Sequence, residues 1–327
     1  MEKIRVAING YGNLGRGAEA CLANFPDMEL AAVLTRRKPA DALKIASDAP
    51  VVHVINAAEW VDKIDVMLLC GGSAKDLPEQ GPEFARMFNT VDSFDNHAQI
   101  PQYMKKIDAA AKKGGKVGVI SVGWDPGVFS LMRMYMGAFA PAGQTYSFWG
   151  EGVSQGHSDA ARRVDGVIGA VQYSIPNIYA MERIRNGDMP TLTTREKHTR
   201  ECFVVAAENA DKTRIEKEIK TMPHYFAEYD TTVHFISLEE LHEKHSSLPH
   251  GGNVIHTAKT NAGNAHALEF SLKLDSNPEF TASVMLAYAR AAHRLYKSGE
   301  RGARTAFDIA PKLIAAVAPD ELVRNLL

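Results

Sequence analysis

Lys3–Leu34, KIRVAINGYGNLGRGAEACLANFPDMELAAVL, decides how the rest of the chain reads. Ile4, Val6 and Ile8 alternate as in a buried strand, Asn13–Asn24 repeats its apolar residues at helical spacing, and Met28–Leu34 reads as a second strand. Gly10, Gly12 and Gly15 therefore stand at a strand-to-helix turn. In such a turn the first glycine permits the tight bend, the second removes a side chain that would block a pyrophosphate, and the third lets helix and strand pack closely. The helix N-terminus adds unpaired N–H groups and a partial positive charge. The glycine spacing alone is weak, since any tight turn can use it. Its strand-helix-strand context points to a dinucleotide site, with Gly10, Tyr11, Gly12, Asn13, Leu14 and Gly15 as its phosphate turn.

The end of the second strand selects the cofactor. An NAD site usually carries an acidic residue about 20 positions on, to hold the ribose hydroxyls, whereas a 2′-phosphate wants cations and hydroxyls. This chain has Thr35, Arg36 and Arg37 there, with no carboxylate to repel a phosphate. Two guanidiniums can grip a phosphate dianion through charge-assisted forks, so NADP is expected, with a solvated basic loop as the plain alternative.

Outward from this unit the alternation continues. Asp65–Cys70, Asn89–Ser93 and Lys116–Val122 read as short apolar strands, separated by helical patterns at Leu77–Phe88 and Gln99–Lys113. The pattern predicts an α/β fold with a Rossmann-type doubly wound parallel sheet. Ligands lie beyond the carboxyl ends of such strands. The candidates there are Cys70, Gly71, Gly72, Ser73 and Ala74, then Phe94, Asp95 and Asn96, then Val122, Gly123, Trp124 and Asp125. Asp125-Pro126-Gly127 is expected to open a helix whose stripe of Val128, Leu131, Met132, Tyr135 and Phe139 faces a core.

From about Gln144 the pattern changes character. Thr145–Trp149, Thr199–Ala206, Thr231–Ile236, Val254–Thr260 and Leu268–Leu274 are strand-like, and predict a second, mainly antiparallel α+β domain covered on one side. Pro278–Lys297 then reads as a long helix with Phe280, Val284, Tyr288, Ala291 and Leu295 on one face, returning the chain to the first domain. The expected division is residues 1–124 plus 278–327 for the dinucleotide and 125–277 for the substrate.

The 327 residues suffice for two such domains. Lys plus Arg (37) nearly balances Asp plus Glu (39), so no global field draws the chain to nucleic acid or an anionic membrane, and small ligands are the expected partners. MEKIRVAING leads straight into a strand, and no apolar run reaches the roughly 18 residues of a membrane span, so a cytoplasmic protein is expected. Cys21, Cys70 and Cys202 are odd in number and far apart, and read as reduced, mostly buried thiols. His242 and His245 stand three apart in HEKHSSLPH without a clearly spaced third ligand. A solvated histidine-rich loop is expected there, and no metal.

AINGYGNLGRG, SFDNH, VGWDPGVFS and WGEGVSQGHS together resemble the meso-diaminopimelate dehydrogenase family, over essentially the whole chain; GWDPG followed by SQGHS is the specific part. The resemblance implies NADP-dependent oxidative deamination at the D-centre of meso-2,6-diaminopimelate, giving L-2-amino-6-oxopimelate, ammonia and NADPH. The reverse amination serves lysine and diaminopimelate biosynthesis. The long segment between Arg200 and His250 resembles the dimeric branch of the family, which implies a homodimer built through the second domain. Ser174 departs from the threonine the family often carries, but keeps the hydroxyl.

A substrate with two ammonium groups and two carboxylates needs fixed anions and fixed cations. Asp95 and Asp125, at adjacent strand ends, would hold the reacting amino group and accept its proton, and the resemblance points to the same pair. It also implies Ser154, Gln155 and Gly156 as donors to the carboxylate at the reacting end, and Ser174, Arg200 and His250 around the L-centre. Arg200 shares a strand face with Cys202 and Val204, an unusual setting for a solvated arginine, whereas His250 lies in an expected flexible turn, Pro249–Gly252. Trp124 and Trp149 read as pocket walls or as core aromatics. Asn277 and Asp125, each before a proline, read as substrate contacts or as helix caps. Two further readings stay open: another two-domain NADP oxidoreductase, such as a dihydrodipicolinate-reductase-like enzyme, and a non-catalytic NADP sensor.

Overall fold

β1 (Ile4–Asn9) and β2 (Met28–Thr35) pair in parallel around α1 (Asn13–Leu22), as the glycine spacing requires. The computed structural model describes residues 2–39, 42–261 and 263–327. The chain divides into two units, Met1–Leu131 with Pro278–Leu327, and Met132–Asn277. The first unit continues through β3 (Val51–His53), β4 (Val66–Leu69), α2 (Leu77–Ala85), β5 (Asn89–Asp92), α3 (Ile100–Gly114) and β6 (Val117–Val119).

α4 (Val128–Phe139) follows, but it does not bury the expected stripe. Phe129 and Met136 are its covered apolar positions, whereas Phe139 is 70% exposed. The loop before the helix sets its phase. Val128 and Phe129 N–H donate to the Gly123 and Trp124 carbonyls at 3.0 and 2.8 Å, and the Phe129 ring meets Trp124 edge-on at 5.3 Å.

The second unit holds β7 (Gly143–Trp149), β8 (Gly152–Val153), α5 (Gln155–Arg162), β9 (Val167–Pro176), α6 (Ile178–Arg185), α7 (Thr194–Lys197), β10 (His198–Ala206), α8 (Lys212–Thr221), β11 (Asp230–Phe235), α9 (Leu238–Lys244), β12 (His250–Asn261) and β13 (Asn264–Leu274). They form two sheets, ordered β11-β10-β9-β8 and β13-β12-β7. All pairs are antiparallel except β10 with β11, where α8 supplies the crossover a parallel pair needs. One face of the larger sheet packs Ala170, Cys202 and Val204 against Ala160 and Ala161 of α5 and Ile215 and Ile219 of α8.

Two sequence expectations fail in this unit. His250 is no turn residue but the first residue of β12, paired with Leu274 and 8% exposed. Gly251 and Gly252 serve strand packing there, because a Cβ on either would stand 2.2 Å from a neighbouring strand's carbonyl oxygen. Nor do His242 and His245 lie in a solvated loop. His242 is within α9, and the His245 ring stacks on Phe203 at 4.1 Å with Nδ1 2.9 Å from the Tyr173 hydroxyl.

α10 (Asn277–Lys297), β14 (Gly302–Arg304), α11 (Pro311–Ile314) and α12 (Pro319–Leu326) end the chain, and β14 completes a parallel sheet of order β14-β6-β5-β4-β1-β2-β3. Its two faces bury separate cores: Val6, Ile8, Val66 and Leu68 pack with α1 and α10, while Ala7, Met67 and Leu69 pack with α2 and α3. Tyr288, Ala291 and Leu295 of the expected face of α10 are buried, and the buried face is broader than expected. Ala282, Met285, Ala289 and Ala292 are buried, Phe280 and Val284 only half-buried, and buried Arg290 forks onto Asp27 at 2.6 and 2.7 Å. The alanines let the helix lie close against the sheet.

Candidate functional site

At the carboxyl ends of β1, β2 and β4 lies a cleft of about 420 Å³. Of the sequence candidates, Gly10, Tyr11, Gly12, Thr35, Arg36, Arg37, Cys70, Gly71 and Gly72 line it. Asn13, Leu14, Gly15, Ser73, Ala74, Phe94, Asn96, Val122 and Gly123 lie outside its lining. Gly10 sits at φ +97°, and a Cβ on Gly15 would stand 2.1 Å from the Gly10 oxygen, so the protein's own packing demands both glycines. Gly12 is different, with nothing within 4 Å of its missing side chain. It is also the N-cap of α1, whose first turn carries neither a side-chain cap nor an acidic residue. An open approach to uncommitted amides at a helix start fits a phosphate-bearing cofactor.

The expectation of no nearby carboxylate is corrected by Asp76, whose Oδ1 is 2.8 Å from Arg36 Nη2 while its Oδ2 accepts from Gly72 N–H at 2.9 Å. β4 and β2 flank β1, which brings the segment after β4 to the end of β2, a proximity that separation along the chain conceals. Asn9 and Gln80 also line the cleft and were not foreseen. Thr35 is buried, and its hydroxyl accepts from Arg37 N–H at 3.1 Å.

At the ends of β5 and β6, a residue missed in the sequence organises the candidates. Asp92 is fully buried; its Oδ1 accepts from Phe94 and Ser121 N–H at 3.0 Å each, and its Oδ2 from the Tyr103 hydroxyl at 2.8 Å. Burial pushes its carboxyl up to about 6 against the pull of those donors. The segments carrying Asp95 and Asp125 are thus tied to one carboxylate. Asp95 is exposed, and its N–H donates to Ser73 Oγ at 3.2 Å. Phe94 stacks on Tyr103 at 4.2 Å. Asp125 is half-buried and stands three residues before the start of α4; Trp124 is buried beside Phe129.

In the second unit the strand register lays Gly152, Ser174, Arg200 and Thr231 in one row across four strands. Arg200 Nη1 donates to Ser174 Oγ, and the guanidinium lies 3.9 Å over the Tyr229 ring. Arg200 is 6% exposed, its Nε has no hydrogen-bond partner, and among the described residues no carboxylate pairs with it. A buried cation without a counter-ion is costly, and points to an anion supplied by a ligand.

Three histidines feel that charge. Burial first and Arg200 second hold His157 down to about 4 and His198 to about 3; His250 is likewise lowered, burial leading. Trp149, 36% exposed, stacks on His198 at 5.3 Å and donates its backbone N–H to His198 Nε2 at 2.8 Å. Ser154 stands at the N-cap position of α5 without a side-chain cap bond, with Gln155 and Gly156 exposed in the first turn. Asn277 N–H donates to the Leu248 carbonyl at 3.0 Å. His157, His198 and Tyr229 were not foreseen. His157 stands in the SQGHS motif and could have been singled out, but nothing local marks Tyr229 as the platform under Arg200.

Cys21, Cys70 and Cys202 are free thiols, and burial pushes Cys70 and Cys202 up to about 12. Among the described residues no three His, Cys, Asp or Glu side chains gather as a metal site would require.

Residues 123–276 match the family described as diaminopimelic acid dehydrogenase C-terminal domain. The meso-diaminopimelate D-dehydrogenase of Ureibacillus thermosphaericus is 58% identical over 327 residues, covering all of both chains. The crystallised C. glutamicum DAP dehydrogenase in complex with DAP is 45% identical, with a TM-score of 0.94 and full coverage of both chains. An engineered D-amino acid dehydrogenase bound to NADP⁺ is 44% identical, with a TM-score of 0.89 over 99% of this chain and 100% of its own. With a relative 58% identical over the whole length of both chains and a family model matching residues 123–276, the chain belongs to the meso-diaminopimelate dehydrogenase family.

Proposed function

We propose that this protein catalyses the NADP-dependent oxidative deamination of meso-2,6-diaminopimelate at its D-centre, consuming water and giving L-2-amino-6-oxopimelate, ammonia and NADPH, and the reverse amination. The full-length 58% identity carries this reading, and supports it over another two-domain NADP oxidoreductase or a non-catalytic sensor. NADP, when bound, supplies the hydride acceptor. The Gly10–Gly15 turn would hold its pyrophosphate and Thr35, Arg36 and Arg37 its 2′-phosphate, with the segments after β4, β5 and β6 completing its site.

Asp95 and Asp125 hold the reacting ammonium and take a proton from it. The neutral nitrogen then has a lone pair that stabilises positive charge developing on its carbon. Water adds to that carbon and ammonia leaves. Arg200, with Ser174 and His250, binds the carboxylate of the L-centre; its burial without a counter-ion supports this role. Ser154, Gln155 and Gly156 serve the reacting end, Trp124 and Trp149 wall the substrate, and Asn277 contacts it.

The working form is a homodimer joined through the second unit, whose Phe139, Ile178 and Tyr179 expose large apolar side chains. A cytoplasmic location accords with free cysteines and with the absence, among the described residues, of any helix long and apolar enough to cross a membrane. NADPH absorbance on mixing purified protein with meso-diaminopimelate and NADP⁺ tests the reaction, and its failure to rise overturns it. Light scattering tests the dimer.

A further inference from the structure

The cleft at the ends of β1, β2 and β4 is lined mainly by backbone and polar groups; Tyr11 and Leu43 are the two large side chains in it with apolar faces. A nucleotide needs such walls as well as donors for its phosphates. Neither residue belongs to a strand or a helix. Tyr11 stands between two glycines of the turn, and Leu43 lies in the irregular loop between β2 and β3.

One side chain fastens both. Glu19, half-buried in the second turn of α1, receives four donated hydrogen bonds. Its Oε2 accepts from the Tyr11 hydroxyl and from Ala46 N–H at 3.2 Å, and its Oε1 from Ser47 N–H at 2.8 Å and the Ser47 hydroxyl at 2.5 Å. A carboxylate only accepts, so the direction of every bond is fixed. Among the described residues, the hydrogen bonds that tie residues 42–49 to the rest of the first unit all end on Glu19. Tyr11 and Ile45 pack against the core cluster that contains Leu43. A single carboxylate therefore joins the phosphate turn to the loop that carries Leu43.

We infer that Glu19 is a positioning residue for the cofactor, a clip that holds Tyr11 and the Leu43 loop in the arrangement the nucleotide meets. The inference rests on the proposed function for the identity of the cofactor. Holding a site in its working shape has a distinct signature. If that shape is populated only a fraction of the time, every ligand that needs it binds more weakly by the inverse of that fraction, whatever its 2′ substituent. Arg36 and Arg37 act on the 2′-phosphate and set the ratio of NADP⁺ to NAD⁺ affinity. Glu19 sets the level of both.

Direct titration of the purified protein with NADP⁺ and with NAD⁺ tests this. Glu19→Ala removes all four contacts while placing the best helix former in α1, so the helix itself is not weakened. Both cofactors should lose affinity by the same factor, about ten- to thirtyfold, as for a site competent roughly a tenth to a thirtieth of the time. At saturating NADP⁺, kcat and the KM for meso-diaminopimelate should be unchanged. Tyr11→Phe and Ser47→Ala should each give part of the loss, and neither should add to it in the Glu19→Ala background, because each removes a bond already gone. Hydrogen exchange is the second arm: Ala46 and Ser47 N–H, protected in the wild type, should exchange freely in Glu19→Ala. Unchanged affinities, a loss confined to NADP⁺, an equal fall in kcat, or multiplying losses in the combined variants overturn the inference. Where Glu19→Ala does not fold, Tyr11→Phe and Ser47→Ala read the same pair of affinities. A wild type that binds NADP⁺ yet forms no NADPH from meso-diaminopimelate sinks the proposed function and leaves this inference standing.

Discussion

The cofactor end and the distal substrate end of the proposed site are built from opposite materials. In the first unit the phosphate turn is backbone, uncommitted amides beside an open glycine, and its cations are solvent-facing, with the Arg36 side chain 65% exposed. In the second unit the proposed contacts are side chains taken out of water: Arg200 lies over Tyr229 against Ser174, among His157, His198 and His250. Exposed charges bind through modest increments that water screens. A buried cation costs desolvation until an anion meets it, which converts into selectivity.

The sharpest way to break this contrast is Arg200→Leu. If Arg200 forks onto the distal carboxylate, the change leaves that anion desolvated at a cost of roughly 3–5 kcal/mol, and kcat/KM with meso-diaminopimelate falls about a hundred- to several-thousandfold. D-amino acids without a distal carboxylate should lose nothing comparable. Equal losses on both substrate types would show that Arg200 supports the fold or the reacting end. Next in size, replacing Arg36 and Arg37 together by alanine should weaken NADP⁺ by more than about a hundredfold and NAD⁺ little. Cofactor titrations in which both weaken alike would make the pair structural.

Acid separates the two units by sign. His157 and His198 have folded pKa values below the ordinary 6.5, at about 4 and about 3. Their contribution to stability is therefore whole above pH 6.5 and drains away as pH falls toward those values. Asp92 is raised from 3.8 to about 6, so its contribution is whole below 3.8 and lost as pH rises through 6. Hydrogen exchange followed from pH 6.5 down to about 4 should show the second unit loosening around α5 and β10 while the β5 and β6 ends hold or tighten. Parallel loosening of both regions would contradict this assignment. The smallest effect expected is from Asp76→Asn, which releases Arg36 from an exposed pair worth at most about 1 kcal/mol. NADP⁺ should bind no more than about fivefold tighter. Weaker binding instead would mean that Asp76 holds Arg36 in its working position.

Legibility followed the same division. Gly10, Gly12, Gly15, Arg36 and Arg37 were readable because a tight turn and a strand end are local events governed by spacing. Arg200 was readable for a related reason: the period of two puts it on the face of β10 that Cys202 and Val204 bury. The phase of α4 and the full breadth of the buried face of α10 were not, because several apolar faces were available and the sheet and loop contacts chose among them. His250 was misread because Gly251 and Gly252 look like a turn until the carbonyls of Leu272 and Phe148 are seen against them.

By itself, then, the sequence determined the parallel sheet, its glycine turn, the cationic end of β2 and the burial of Arg200, all consequences of periodicity and short-range sterics. Tertiary structure alone decided that Asp76 meets Arg36, that Asp92 ties the Asp95 and Asp125 segments, that Tyr229 lies under Arg200, and that His157 faces Ser154 within a ring of aromatics. Most of these contacts join segments far apart in the chain, and all depend on which strands become neighbours and how loops and helices pack on them. Burial and the surrounding charges, which only the assembled fold supplies, then set the protonation of the groups they enclose.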